Sequence, residues 1–419
     1  MTFTPDKPRA LDTEAARTYL AAHPDLAAIL GGDPAGWDIR EASDGFLNVV
    51  FLVRGPAGGL CLKQALPWVR HAGESWPLPD NRAYFEQSYL AIVGPLAEDA
   101  LPKLHHYDPG RQILAMELLT PHETLRYALI EGRRFPRVSA DIGAFVARAC
   151  YRTSPFHQPL ERVREWQARF AAGVELQRIT LDLIFQDAYR DNPRSSWTSP
   201  QLDDLAHGFR EDVELKRAAG RLAQRFLTVG QALIHCDLHT AAIMVTETDT
   251  KVIDPEFALY GPIGFDLGAY LANLLISHLA QPGHATPADD RAAMAEWLLQ
   301  QPELLWDSFS RTFRTLWETE GGGDAWHDDL FPKPASAALL RGDYEALEEE
   351  IFADMVGFAA LKMIRRVFSY AHVADFLRIA DPDRRAACER RTVLLARRML
   401  TQSERFRTTD DIVAAARAA

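Results

Sequence analysis

The sequence is poor in cysteine, has no long apolar run and carries no excess of positive charge. Each shortage removes a class of function. Four cysteines, Cys61, Cys150, Cys236 and Cys388, stand far apart with no C-x-x-C pair. Neither structural zinc nor a disulfide framework is expected, and a reduced cytoplasmic setting is the default. No uninterrupted apolar stretch approaches the roughly 18 residues that a membrane helix needs, so no membrane partner is expected. The opening MTFTPDKPRALDTEAARTYL lacks the basic start and apolar block of a secretory signal. A net charge of −12 argues against nucleic-acid binding, which calls for a basic stripe. It leaves room for a single nucleotide, which a few local cations and a metal can hold.

A chain of 419 residues is too long for one compact core and suggests two lobes. It shows no internal repeat and no low-complexity tract. Short β-like runs at Val49 to Arg54, Leu60 to Gln64 and Gln112 to Glu117, with a helix from Asp80 to Val93 among them, predict a small α+β lobe over residues 1–118. Residues 119–419 are mostly helical, with helices or helix pairs at Arg137 to Tyr151, Glu161 to Ala188, Gln201 to Thr228 and Ala337 to Arg378. Gln281 to Pro287 and Thr319 to Pro334 are rich in Gly, Pro and polar residues and predict loops. One β segment interrupts the helical half: Ala242 to Thr246 and Thr250 to Asp254, separated by Glu247-Thr248-Asp249, predict a hairpin.

That interruption concentrates acidic residues. Asp237 follows the apolar run Leu233-Ile234, and the hairpin ends at Asp254-Pro255-Glu256. Counting residues along the two strands brings Asp254 back toward position 242, so Asp237, Asp254 and Glu256 are expected to converge. Phosphoryl transfer uses such a group, one carboxylate as acceptor base and others as hard ligands for Mg²⁺. Singly, each acid is more simply a turn or helix cap; in combination they predict chemistry.

The segment LIHCDLHTAAIMV, followed by KVIDPEFALYGPIGFDLGAYLANL, resembles the catalytic region of the aminoglycoside-phosphotransferase and protein-kinase-like superfamily. Its long form, with GESWPLP (Gly73 to Pro79), WTSPQLDD (Trp197 to Asp204) and KMIRR (Lys362 to Arg366), is similar to the 5-methylthioribose kinase family. The likeness extends over most of the chain. It implies a bilobal α+β protein-kinase-like fold, with a small β-rich N-lobe that binds ATP and a larger helical C-lobe that binds a sugar. It also implies transfer of the γ-phosphoryl group to the anomeric hydroxyl of 5-methylthioribose, Mg²⁺ as cofactor, and a homodimer. By position, Asp237 matches the catalytic aspartate, Asp254 and Glu256 the metal-binding D-x-E, and Asp266 a residue that braces the catalytic loop through backbone amides. An alternative for Asp266 is a plain helix N-cap.

On the nucleotide side, Lys63 matches the strand lysine that holds the α/β-phosphates, with Glu86 as its ion-pair partner. Gly45 and Asn48 lie in the match to the phosphate-covering DG-x-LN-x-VF turn, and Glu117 and Leu119 stand where backbone groups meet adenine. On the acceptor side, Arg365 and Arg366 match paired sugar-binding arginines, and Trp76 a tryptophan-bearing loop over the sugar. The chain departs from the family twice. Cys236 replaces a glycine, and Ala242 replaces a serine or asparagine that offers the metal an oxygen. These departures keep two other readings in view: a kinase of the same fold for another hydroxyl acceptor, and a nucleotide-binding pseudokinase.

Overall fold

The computed structural model describes residues 10–42, 48–69, 73–79 and 81–419, with the backbone alone at 69 and 73–77. The chain divides into two compact units: Met1–His122 with Lys251–Ala258, and Glu123–Thr250 with Leu259–Ala419. The polypeptide therefore returns to the first unit for the short stretch that carries Asp254 and Glu256.

In chain order the first unit holds α1 (Thr13–Ala21), α2 (Pro24–Leu30), β1 (Asp38–Glu41), β2 (Asn48–Arg54), β3 (Gly59–Ala65), β4 (Trp68–Val69), β5 (Gly73–Pro77), α3 (Arg82–Val93), β6 (Leu104–Asp108) and β7 (Ile113–Glu117). Five strands form an antiparallel sheet in the order β1-β2-β3-β7-β6. The two-residue period of a strand sends alternate side chains to opposite faces. Val49, Phe51 and Val53 of β2, Leu60 and Leu62 of β3, and Ile113 and Ala115 of β7 share a core with Leu20, Leu26 and Leu30 of α1 and α2. Lys63, paired in register with Val50 and Leu114, must then point to the other face. There it meets α3 rather than solvent.

The second unit holds β8 (Glu123–Thr124), α4 (Leu125–Ile130), α5 (Val138–Thr153), α6 (Leu160–Ala171), α7 (Val174–Thr180), α8 (Asp203–Glu211), α9 (Val213–Thr228), β9 (Ala232–Ile234) and β10 (Ile243–Val245). The strand β11 (Thr250–Val252) begins the return to the first unit. It is followed by β12 (Leu259–Gly261), α10 (Gly264–Ala280), α11 (Ala292–Thr319), α12 (Arg341–Phe368), α13 (Ala374–Leu377), α14 (Pro382–Thr401) and α15 (Thr409–Arg417). β8 pairs with β10 and β9 with β12, all antiparallel. A small sheet-bearing unit and a larger, mostly helical one make this the α+β architecture that the sequence predicts. Among the described residues no helix is long and apolar enough to cross a membrane.

Three of the stretches predicted as helices or helix pairs are broken rather than continuous, for local reasons. The stretch 161–188 breaks at Gly173, and its far end widens into a π-helical turn at Leu181–Gln186. The stretch 201–228 breaks at Asp212, whose carboxylate leaves the helical path to accept the N–H of Leu215 as an N-cap. The last predicted helix begins at Arg341 and ends at Phe368. α11, α14 and α15 stand where no helix was predicted.

α10 is the axis of the second unit: every one of its residues is buried, and it packs along α12. The close approach needs glycine. A Cβ on Gly268 would lie 2.7 Å from the carbonyl oxygen of Met355 and 2.9 Å from the amide of Ala359. Gly268→Ala is expected to destabilise the chain by about 1–3 kcal/mol through overpacking. Gly220→Ala in α9, where a Cβ meets nothing within 4 Å, is expected to be neutral or stabilising by up to about 1 kcal/mol. Thermal unfolding of both variants checks the pair, and equal effects would contradict this packing.

Candidate active site

Two constellations of buried charge stand out, one in each unit. In the first, β3 delivers the ammonium of Lys63, only 4% exposed, between two carboxylates. Glu86 of α3 accepts at 2.9 Å (Oε1) and 2.7 Å (Oε2), and Asp254 Oδ1 accepts on the other side. Burial works against this charge, but Asp254 and then Glu86 outweigh it and hold the ammonium above its usual range. Burial pushes the Glu86 carboxyl up to about 7, against the pull of Lys63.

Asp254 has φ +65, a left-handed conformation that costs a non-glycine residue on the order of 1–3 kcal/mol. The turn puts Glu256, two residues on, into a buried short helix. Its Oε2 accepts from Arg82 Nη1 at 2.8 Å and from Asn48 Nδ2 at 3.3 Å. Arg82, wholly buried, also donates from Nη2 to the Leu66 carbonyl at 2.9 Å. Asn48 Oδ1 is buried with no hydrogen-bond partner. Asp254, Glu256 and Asn48 each offer oxygen donors, the kind that hard divalent cations take, with Asp254 Oδ1 held by Lys63 and Glu256 Oε2 by Arg82. Among the described residues no group of three or more His, Cys, Asp or Glu side chains forms a ready metal cage.

In the second unit the catalytic-type loop is pinned from α10. Asp266 Oδ2 accepts the N–H of His235 at 2.7 Å and Oδ1 the N–H of Cys236 at 2.9 Å. Asp266 lies inside the first turn of α10, with Ile263 at the cap position, so it braces the loop and is not an N-cap. Cys236 takes φ +68. The cysteine thus accepts the left-handed turn that glycine makes easily, and the departure from glycine leaves the turn in place.

Asp237, the next residue, receives Lys362 Nζ from α12 at 3.2 Å on Oδ1 and lies 3.4 Å from His239 Nε2 on Oδ2. The Ala242 N–H donates to His239 Nδ1 at 3.1 Å, which fixes the imidazole proton on Nε2. Burial works against ionisation of Asp237, yet His239 and Lys362, with Arg366 behind them, hold its carboxyl well below the usual range. Burial pushes His239 itself down to about 4. At neutral pH it offers an N–H dipole, while Lys362, lowered by burial against the pull of Asp237, is the nearest cation.

Around this acid lie Arg126, Arg365 and Arg366, all buried. Arg126 donates to Thr240 Oγ1 (3.2 Å) and Asn273 Oδ1 (2.9 Å) and pairs with Asp375 at 3.5 Å. Neighbouring helix positions diverge by about 100°, and the arginine pair divides accordingly. Arg366 donates to the Ala371 carbonyl at 2.8 Å, while Arg365 keeps Nε and Nη1 without a partner.

The predicted residues thus fall into two groups. Asn48, Lys63, Asp254 and Glu256 gather in the first unit; Asp237, Arg365 and Arg366 belong to the second. Glu117 ends β7, its N–H donating to the Lys103 carbonyl at 2.8 Å, and Leu119 follows, half-buried. Trp76 is placed by its backbone in β5, and Gly45 lies outside the described residues. The sequence reading assigned no role to Arg82, Lys362, His239 or Arg126.

The phosphotransferase enzyme family matches residues 38–305, and the chain belongs to that family. A methylthioribose kinase of Escherichia coli O45:K1 is 40% identical over 95% of both chains. Methylthioribose kinase 2 of Oryza sativa subsp. japonica is 38% identical over 97% of this chain and 95% of its own. A methylthioribose kinase of Geobacillus sp. strain WCH70 is 35% identical over 92% of each. Within the family, its place is among the methylthioribose kinases.

Asp266→Asn tests the brace. An amide cannot accept from both N–H groups, so one N–H of the loop loses its acceptor. The expected loss is about 1–3 kcal/mol of stability, read by denaturant unfolding, with faster hydrogen exchange at the His235 and Cys236 amides. Unchanged exchange at both amides would contradict it.

Proposed function

We propose that the chain transfers the γ-phosphoryl group of ATP to the anomeric hydroxyl of 5-methylthioribose, giving the 1-phosphate in methionine salvage. The observation that carries the reading is Asp237, held ionised by its neighbours and yet 29% exposed at its side chain. An accessible carboxylate that stays ionised can orient an acceptor hydroxyl and take its proton as the new bond to phosphorus forms.

Residues 1–118 form the nucleotide-binding lobe in this reading, and residues 119–419 the catalytic and acceptor-binding lobe. Lys63 holds the α/β-phosphates, with Glu86 keeping its ammonium aimed. Gly45 and Asn48, the latter at the start of β2, are assigned to phosphate binding by the family likeness, and backbone groups at Glu117 and Leu119 meet the adenine. Asp254 and Glu256 hold Mg²⁺, and their all-oxygen donor set suits it. When bound, the ion neutralises phosphate charge and orients the transferred group. Ala242 would offer the ion no oxygen, and because Mg²⁺ commonly keeps several waters, Asp254 and Glu256 would suffice as its protein ligands.

Arg365, with its two unpaired N–H groups, is the donor poised for the sugar hydroxyls, and Arg366 supports it by closing the end of α12. Trp76 lies on a segment that covers the sugar and excludes water. The hydroxyl donates to Asp237, which orients it and takes its proton as the new O–P bond forms. We further propose a cytoplasmic homodimer that uses small molecules as its only substrates, with no nucleic-acid or membrane partner.

The test is ADP release from ATP with methylthioribose, with and without Mg²⁺, beside a panel of sugars, amino alcohols and aminoglycosides. Methylthioribose is expected to be the preferred acceptor and release to require the ion. Asp237→Asn is expected to lower kcat by roughly 10²–10⁴-fold with little change in nucleotide affinity. Normal turnover by that variant, or a clear preference for another acceptor, would overturn the assignment.

A further inference from the structure

Lys362 lies in the most apolar part of α12, flanked by Ala359, Ala360, Leu361, Met363 and Ile364, all buried. It is itself only 4% exposed. Removing an ammonium from water costs several kcal/mol unless partners replace the lost hydration. The partners are specific. Its Nζ donates to Asp237 Oδ1 at 3.2 Å and to the Cys236 carbonyl at 3.3 Å. It also stands 4.8 Å from the centre of the Phe265 ring, within cation–π range. One cation therefore grips the side chain of Asp237 and the backbone of the residue before it.

The two oxygens of Asp237 are not equivalent. Oδ1 is taken by Lys362, and Oδ2 faces the Nε2–H of His239 at a longer 3.4 Å. The other charges that act on Asp237 are Arg365 and Arg366 from α12 and Arg126 from α4.

We propose that Lys362 is a positioning residue for phosphoryl transfer: it clamps Asp237 Oδ1 against the Cys236 carbonyl, so that Oδ2 is the oxygen that receives the acceptor hydroxyl. The proposal rests on the phosphotransferase reading above. In the step, the acceptor oxygen bonds to the γ-phosphorus as its O–H bond breaks and the proton passes to Oδ2. The bond from phosphorus to the bridging oxygen breaks, and its electron pair leaves on ADP. Lys362 keeps its proton throughout.

Three variants of the full chain test this: Lys362→Met, Lys362→Gln and Lys362→Arg. The first readout needs no turnover. It is the ionisation midpoint of Asp237, followed by carbon-13 NMR of labelled aspartate carboxyls and assigned with Asp237→Asn. Lys362→Met is expected to raise that midpoint by about one pH unit or more and to move the acidic limb of kcat/KM upward with it. It should lower kcat roughly 10–100-fold while leaving KM for ATP nearly unchanged. Lys362→Gln should move the midpoint in the same direction, which keeps the test open if the methionine variant fails to fold. Lys362→Arg should hold the midpoint near that of the parent chain. A midpoint and acidic limb unmoved in the methionine and glutamine variants would overturn the proposal. If the parent chain fails to phosphorylate methylthioribose, the substrate assignment falls, and the titration still decides whether the clamp exists.

Discussion

The loop that carries Asp237, the proposed acceptor base, depends on one carboxylate that does no chemistry. Asp266 accepts the backbone N–H groups of His235 and Cys236 and so ties a strained loop to the first turn of the most buried helix in its unit. That tie offsets the left-handed turn at Cys236 and fixes the backbone from which Asp237 projects. The tie also gives Lys362 a stationary target, because the carbonyl and carboxylate that it grips both lie just after the braced amides. Buried polar groups of this kind are costly unless fully paired, and Asp266 has both oxygens engaged.

The two units handle charge differently, and the difference suits their proposed tasks. In the first, the two buried cations of the constellation are matched: Lys63 lies between Glu86 and Asp254, and Arg82 lies on Glu256. A metal ion can take over part of the cations' role toward the acids, and phosphates part of the acids' role toward Lys63. In the second, Arg126, Lys362, Arg365 and Arg366 are buried beside the half-buried Asp237 and the buried Asp375 and Asp266, and Asp266 is occupied by backbone. Cations are in excess there, and Arg365 is left with unpaired donors. Such a site suits a hydroxyl-rich acceptor that gains negative charge as it is phosphorylated.

Much of this was legible in the sequence, because the catalytic residues lie in short motifs whose geometry is local. Asp237 after an apolar strand, Asp254-Pro255-Glu256 after a turn, and Lys63 in an alternating strand announce themselves within a few residues. The brace at Asp266 was foreseen from the family likeness, while the alternative of a helix cap rested on a helix start that the structure places three residues earlier. Arg82 and Lys362 were not foreseen, since their partners lie 174 and 125 residues away along the chain. For Lys362 a signal existed: a lone lysine inside an apolar helix, one turn before two arginines. α11 escaped notice because Pro302 in its interior counts against a continuous helix. Whether 201–228 is one helix or a pair stayed open in the sequence, because a mid-helix aspartate and a capping one look alike until the backbone turns.

The account stands or falls on where the phosphoryl group lands. Methylthioribose labelled with carbon-13 at the anomeric position, incubated with ATP, Mg²⁺ and the protein, should give a product whose phosphorus couples to that labelled carbon in the NMR spectrum. Coupling to a different ring carbon, or ADP and inorganic phosphate with the sugar unchanged, would contradict it.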